Sequence, residues 1–157
     1  MLAHDTFAVD FSCTTCGKII TALTCPSHCP QCGKAAPDHG FPTAEAVKIA
    51  AQNDRFRAGL LNGTEADLRG QLVVTAAVNQ MGWDFITDAT LAVARDTDFT
   101  TDNDPYGDHS FGTVTVRGVK LFWKFDLYDN ELVYGSPAPA EPSETRRVLT
   151  IMLPSDY

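Results

Sequence analysis

Apolar residues along this chain change their rhythm from one region to the next, and the changes outline its elements. From Ala44 to about Leu61, Ala46, Ile49, Ala50, Phe56 and Leu60 recur at helical spacing and form one stripe. Thr43 stands where an N-cap hydroxyl belongs and Asn62-Gly63 supplies a stop, so a helix is predicted between them. Asn53 falls on the same stripe. An inward amide requires a hydrogen-bond partner, and neighbouring backbone is the expected one.

Gly70 to Met81, GQLVVTAAVNQM, is short, apolar and rich in β-branched residues, which predicts a strand over most of its length. Gly82 ends it. Asp84 can cap a second helix from about Phe85 to Thr97, with Phe85, Ile86, Ala89, Ala92 and Val93 facing inward. The last third alternates with period two. SFGTVTV, then Arg117-Gly118, then VKLFWKFDLY reads as a hairpin, with Val119, Leu121, Trp123, Phe125 and Leu127 on the core side and Lys120, Phe122, Lys124, Asp126 and Tyr128 on the other. A short strand at Leu132 to Tyr134, a proline-stiffened loop SPAPAEPSE and a last strand RVLTIML complete the set. This order predicts an α+β fold in which an antiparallel sheet is packed with two helices. Gly40 and the prolines of AAPDHGFP mark a boundary, giving a cysteine-rich module over residues 1–40 and an α+β domain over 41–157.

Four cysteines in that module fall into two matched pairs, Cys13-x-x-Cys16 and Cys29-x-x-Cys32, each followed by Gly-Lys and separated by 12 residues. This is the spacing of a zinc ribbon. Two thiolates separated by two residues wrap one ion, and Gly17 and Gly33 permit the turn. A segment this small has little core of its own, so metal binding is expected to supply most of its folding free energy. A single iron ion is the competing occupant. Four cysteines leave no open coordination position, so the zinc is expected to be structural. Cys25 and His28 lie outside the matched pattern and read as a free thiol and a loop residue; His4 and His39 have no supporting pattern.

Composition narrows the function. The apolar fraction of 44% is that of a globular chain, no run approaches a membrane span, and the first residues lack a signal-peptide pattern, so a cytoplasmic protein with reduced thiols is expected. The net charge of -8 argues against a broad grip on nucleic acid phosphates and leaves basic protein surfaces or small molecules as the expected partners, between which charge alone does not choose. Asp84, Asp88, Asp96, Asp98, Asp102, Asp104 and Asp108 stand against one Arg95 in a single stretch. Its composition suits a hard cation, but EF-hand spacing is missing. Asp96, Asp98, Asp102, Asp104 and Asp108 are therefore candidates for a partner-binding surface.

Four blocks, IAAQNDRFR (Ile49 to Arg57), FTTDNDPYGDHSFG (Phe99 to Gly112), FWKFDLYD (Phe122 to Asp129) and YGSPAPAEPSETRRVLTIMLPSDY (Tyr134 to Tyr157), occur in the order seen in the bacterial domain-of-unknown-function 3768 family, which the chain resembles from about Ile49 onward. The resemblance brings no activity, catalytic residue or cofactor. It implies a bacterial protein of the kind carried on plasmids and other mobile elements, among which regulators and inhibitors of host defence, including antirestriction and anti-CRISPR proteins, are common.

Catalytic candidates are His109, Asp104, Tyr106, Lys124, Asp126, Tyr128 and Tyr134, with His109 as a general base for a hydrolase or nuclease. No GxSxG, HExxH, P-loop or GxGxxG motif accompanies them. The favoured expectation is a non-enzymatic regulatory or inhibitory protein that meets a protein partner, such as a nucleic-acid-handling complex, through its acidic surface. The alternatives are the His109 enzyme and a nucleic-acid-associated zinc-ribbon regulator. Lys18 and Lys34 are the only Lys or Arg residues of the ribbon available to the last of these.

Overall fold

The computed structural model of the protein describes residues 7–63 and 65–157. His4 lies outside them. β1 (Val9–Ser12) and β2 (Ile19–Ala22) form an antiparallel hairpin around the first cysteine pair. The 19-residue helix α1 (Ala44–Asn62) follows, then β3 (Gly70–Val74), a single-turn helix α2 (Ala76–Asn79), α3 (Trp83–Arg95), β4 (Phe111–Val116), β5 (Val119–Tyr128) and β6 (Arg146–Met152). A four-stranded sheet in the order β3-β6-β5-β4 carries the helices on one face. Its other face has no α-helix over it among the described residues, and there the short 3-10 turn Pro154–Asp156 brings Tyr157 against Phe111 and Phe122.

Local chemistry explains the elements that form as expected. Thr43 accepts the Ala46 N–H at 3.0 Å, which satisfies one of the free donors at the start of α1. The hairpin turns at Arg117 and Gly118, both with positive φ, a pairing of conformations that matches the twist of the two strands. Leu121, Trp123 and Phe125 then fall on the buried side, where they meet Phe56 of α1, Phe85, Ala89 and Val93 of α3, and Leu149 and Ile151 of β6. A β-carbon at Gly112 would lie 2.4 Å from Trp123, so the indole closes over a backbone that only glycine leaves open.

The α+β arrangement is as expected, with corrections inside it. The sheet is mixed: β6 runs antiparallel to β5 but parallel to β3, because α2, α3 and the hairpin intervene before β6 enters beside β3. The predicted strand over 70–81 stops at Val74. Ala76 and Ala77 favour helix, and α2 makes a third helix where two were expected. α3 begins at Trp83 after Gly82, and Asp84 occupies its first turn, where a carboxylate meets the positive end of the helix dipole, in place of the cap. Leu132 to Tyr134 is a turn and not a strand. Asp129 Oδ1 accepts the Val133 N–H at 3.0 Å, and this side-chain bond holds the chain in a tight reversal.

The ribbon sits against the α+β domain. Ser12 N–H donates to Pro42 O at 2.8 Å, Phe11 bridges Thr43, and Phe11 and Phe41 close a small second core over Cys13 and Cys29. No described helix is long and apolar enough to cross a membrane.

Replacing Gly112 with Ala forces Trp123 off the sheet and is expected to cost about 1–3 kcal/mol of stability, the range for overpacking a well-filled core. Equilibrium denaturation followed by tryptophan fluorescence checks this.

Candidate functional site

The two cysteine pairs adopt the same turn twice. Gly17 N–H donates to Cys13 O and Gly33 N–H to Cys29 O, both at 2.9 Å, and each glycine has φ 73. Cys13 N–H and Cys29 N–H reach across their turns to Lys18 O and Lys34 O. This repeat brings the four sulfurs to within 4.8 Å of one another. Cys13 Sγ lies 3.7 Å from Cys32 Sγ, and Cys16 Sγ lies 3.7 Å from Cys29 Sγ. A disulfide requires about 2.05 Å. A tetrahedral ion with metal–sulfur bonds of about 2.3 Å holds its ligand sulfurs about 3.8 Å apart. The set therefore fits one four-coordinate metal ion with thiolate ligands only.

Electrostatics within each turn prepares the ligands. The Cys16 backbone N–H directed at Cys13 Sγ brings that thiol down to about 6 against the opposing effect of desolvation. The Cys32 backbone N–H likewise lowers the Cys29 thiol, with desolvation opposing it. At Cys16 the Lys18 N–H favours the thiolate, but desolvation and the surrounding thiols outweigh it and raise this group to about 11. The thiolate is thus favoured at the first cysteine of each pair, whereas a metal ion would have to displace the proton of Cys16.

Cys25 stands apart from the four. Its sulfur accepts the Phe41 N–H at 3.2 Å, and a β-carbon on Gly40, where φ is 86, would lie 2.9 Å from it. It pins the linker to the ribbon. His28 is exposed and its Nδ1 is 3.1 Å from Ser27 Oγ. His39 lines a cleft of about 300 Å³ between the ribbon and the acidic loop, along with Thr14, Pro42, Phe99 and Asp104.

The catalytic candidates fall into two groups on opposite faces of the sheet, His109 with Asp104 and Lys124 with Asp126 and Tyr128, while Tyr106 and Tyr134 join neither. His109 is on the helix side, in the left-handed region with φ 51, stacked on Phe99 at 3.7 Å between ring centroids. Its Nδ1 is 2.9 Å from both oxygens of Asp54, and its Nε2 faces Asp104 Oδ2 at 3.6 Å, too long for a hydrogen bond. Lys124 and Asp126 pair with each other at 3.1 Å on the opposite face of the sheet, where Tyr128 joins them along a shallow depression. Tyr106 and Tyr134 are exposed in separate loops.

Nor do the candidate docking aspartates form one set. Asp96 accepts the Trp123 indole N–H at 2.8 Å, Asp104 accepts the His109 N–H at 3.2 Å, and Asp108 accepts the Ser110 hydroxyl at 2.7 Å. These three organise the loop from within. Asp98 and Asp102 are exposed, and their carboxylates have no partner among the described residues.

Beneath this loop lies a polar cluster that the sequence reading missed. Arg57, 3% exposed, donates to Val93 O and Asp96 O at 2.8 Å and to Asp54 Oδ1 at 2.8 Å, with its guanidinium carbon 4.7 Å from the Trp123 ring centroid. Asn53 donates to Asp108 O at 3.0 Å and accepts from Arg147 Nε at 3.1 Å; Gln52 Oε1 accepts from Arg147 Nη2. The expectation of a backbone partner for Asn53 holds, and Arg147 is the addition. Burial, then the nearby charge of Arg55, lowers the pKa of Arg147 to about 10, with Asp67 opposing. A signal was present: Arg57 continues the inward 46-50-53 spacing of α1, and Arg147 occupies the inward phase of β6 with Leu149 and Ile151.

A family model described as a protein of unknown function (DUF3768) matches residues 74–156, just over half of the chain. The match takes in α2, α3, the acidic loop and β4 to β6; the ribbon and α1 precede it. No curated protein and no solved structure matches the chain.

Cys13→Ser or Cys29→Ser is expected to lose one equivalent of bound metal per chain, whereas Cys25→Ser keeps it, as elemental analysis of the purified proteins will read. A second expectation concerns pH. Burial would raise the Asp54 carboxyl, but hydrogen bonds and charge from His109 and Arg57 prevail and hold it low. Its contribution is present above the unfolded carboxyl value of about 4 and is lost as pH falls through the lower folded value. Asp54→Asn should therefore cost about 1 kcal/mol at neutral pH and nothing in strong acid. Asp104 is opposite in sign: burial, reinforced by Asp108, raises it, so its charge disfavours the fold above that raised value. Asp104→Asn, whose amide oxygen still accepts the His109 N–H, should hold or gain stability at neutral pH. Urea denaturation at neutral and acid pH checks both.

Proposed function

The chain belongs to the DUF3768 family of proteins of unknown function, and from that premise we propose that it is a zinc-stabilised, non-enzymatic interaction protein that regulates or inhibits a protein partner. The observation that carries this reading is how the chemically capable groups are engaged. The four thiolates of the ribbon complete a tetrahedral set and leave no coordination position for water or substrate. Zinc is the proposed ion, as the redox-inactive occupant of an all-thiolate tetrahedral site. His109, the best general base in the chain, stacks on Phe99 between two carboxylates, and its neighbour Asp54 also serves Arg57.

What remains free for recognition is charge. Asp98 and Asp102 project from a loop that borders the ribbon across the cleft at Pro42 and Phe99. In a chain of net charge -8 this loop is suited to a basic protein surface, and it steers encounter more than it adds affinity. The partner we propose is a nucleic-acid-handling complex, of which a host defence of the restriction or CRISPR type is the case favoured by the mobile-element setting that the family resemblance implies. Such a complex carries the basic surface this loop needs.

The test is co-purification from bacterial lysate with the wild-type protein and with the double variant Asp98→Lys/Asp102→Lys, which changes only exposed carboxylates. A specific partner is expected to be retained by the wild type, to be released at raised salt, and to be lost from the variant. An unchanged set of captured proteins sinks the acidic-surface reading. Turnover of a phosphodiester or ester by the purified protein that His109→Ala abolishes would replace it with the enzyme reading.

A further inference from the structure

The outer strand β3 differs from the other outer strand in what lies beside it. Arg147 N–H donates to Arg69 O at 2.9 Å and Thr75 N–H to Ile151 O at 3.1 Å, and these two bonds fix the phase of the parallel β3–β6 ladder. Within such a ladder alternate residues bond to the neighbour, so Gln71 and Val73 face β6. Gly70, Leu72 and Val74 therefore direct their backbone N–H and C=O groups away from the sheet, and among the described residues these groups have no partner. By the pleat, their side chains share the helix-bearing face.

There Leu72 and Val74 floor an open groove of about 520 Å³, walled by Leu60 and Leu61 of α1 and by Trp83 and Ile86 of α3. Trp83 is 79% exposed and Leu61 42%. A large exposed indole beside an apolar groove is the composition of an interface centre. The strand itself, GQLVV, carries none of the charges or prolines with which outer strands usually resist pairing.

We propose that this edge is a homodimer interface in which β3 pairs antiparallel with β3 of a second copy about a two-fold axis at Leu72. The outward positions 70, 72 and 74 are symmetric about that residue. Leu72 exchanges both backbone bonds with its own counterpart, and Gly70 does so with Val74 of the second copy. Every free donor then meets a free acceptor. Because the three outward residues share one face, the helices of both copies lie on the same side of the joined sheet. The two grooves meet there, and each supplies the apolar cover that the other lacks. Self-pairing thus satisfies the strand edge and the exposed apolar wall in one closed, two-fold contact. The inference is independent of the metal site and of the acidic loop.

Sedimentation equilibrium of the full metal-loaded chain over a dilution series tests it, with amide exchange by NMR as a second readout. A reversible dimer is expected, with the Leu72 and Val74 amides protected in the dimer. Trp83→Glu places an acidic group in the first turn of α3, where it suits the helix, and Leu61→Lys changes a half-exposed position. Each is expected to weaken the dimer by about tenfold or more while the thermal melt is retained. A wild-type chain that stays monomeric overturns the proposal and leaves the edge to an extended segment of another protein. A dimer that leaves Leu72 exchange unprotected, or that both variants form as well as the wild type, overturns it too.

Discussion

Arg57 carries a permanent charge into a site almost closed to water, and much of the α+β domain is arranged to make that tolerable. A buried guanidinium requires hydrogen bonds and a balancing charge, and Arg57 finds them for Nη1 and Nη2 while its Nε has no partner among the described residues. Val93 O and Asp96 O, at the C-terminal end of α3 where carbonyls lack helical partners, take two of its bonds. Asp54, one turn back on α1, balances the charge, and the faces of Trp123 and Phe99 enclose it. Together these contacts come from α1, the end of α3, the acidic loop and β5. The guanidinium consequently fixes α1, α3, the acidic loop and β5 relative to one another.

The positions of the other polar groups follow from that arrangement. With Asp54 held by Arg57, its oxygens are placed to receive His109, and with Asp96 turned over the end of α3, its carboxylate reaches the Trp123 indole. Asn53 and Gln52, on the turn before, receive Arg147 from β6 and so join the first helix to the last strand. Several groups that would have looked catalytic in isolation are thus parts of a continuous hydrogen-bonded core.

The ribbon solves a different problem by different means. Its own apolar core is limited to Phe11, Phe41 and the buried cysteines with a few flanking residues, too little to offset the entropy of ordering the chain. A metal ion held by the four cysteines would supply the missing free energy, and Cys25, through the Phe41 N–H, ties the ribbon to the segment that leads into α1. The ribbon sits beside the acidic loop, across the cleft lined by Thr14, Pro42 and Phe99.

The sequence by itself determined what depends on close neighbours in the chain: the paired cysteine turns with their glycines, the Thr43-capped helix, the Arg117-Gly118 hairpin and the inward face of β5. Each is specified within a few residues, because turn conformation, capping and side-chain alternation are local properties. Family resemblance was legible in the same way, as ordered blocks: three of the four fall, but for Tyr157, on the matched residues 74–156, and the first, Ile49 to Arg57, precedes them. Only the tertiary structure decided that β3 runs parallel to β6, that GQLVV gives way to a helical turn, and that Leu132 to Tyr134 closes a loop. It also divided the aspartates into those that hold the loop and those left free. These outcomes depend on partners far apart in the chain, such as Asn53 with Arg147 and Trp123 with Asp96. A carboxylate or guanidinium reads as a surface group until folding brings it the partner that makes burial affordable.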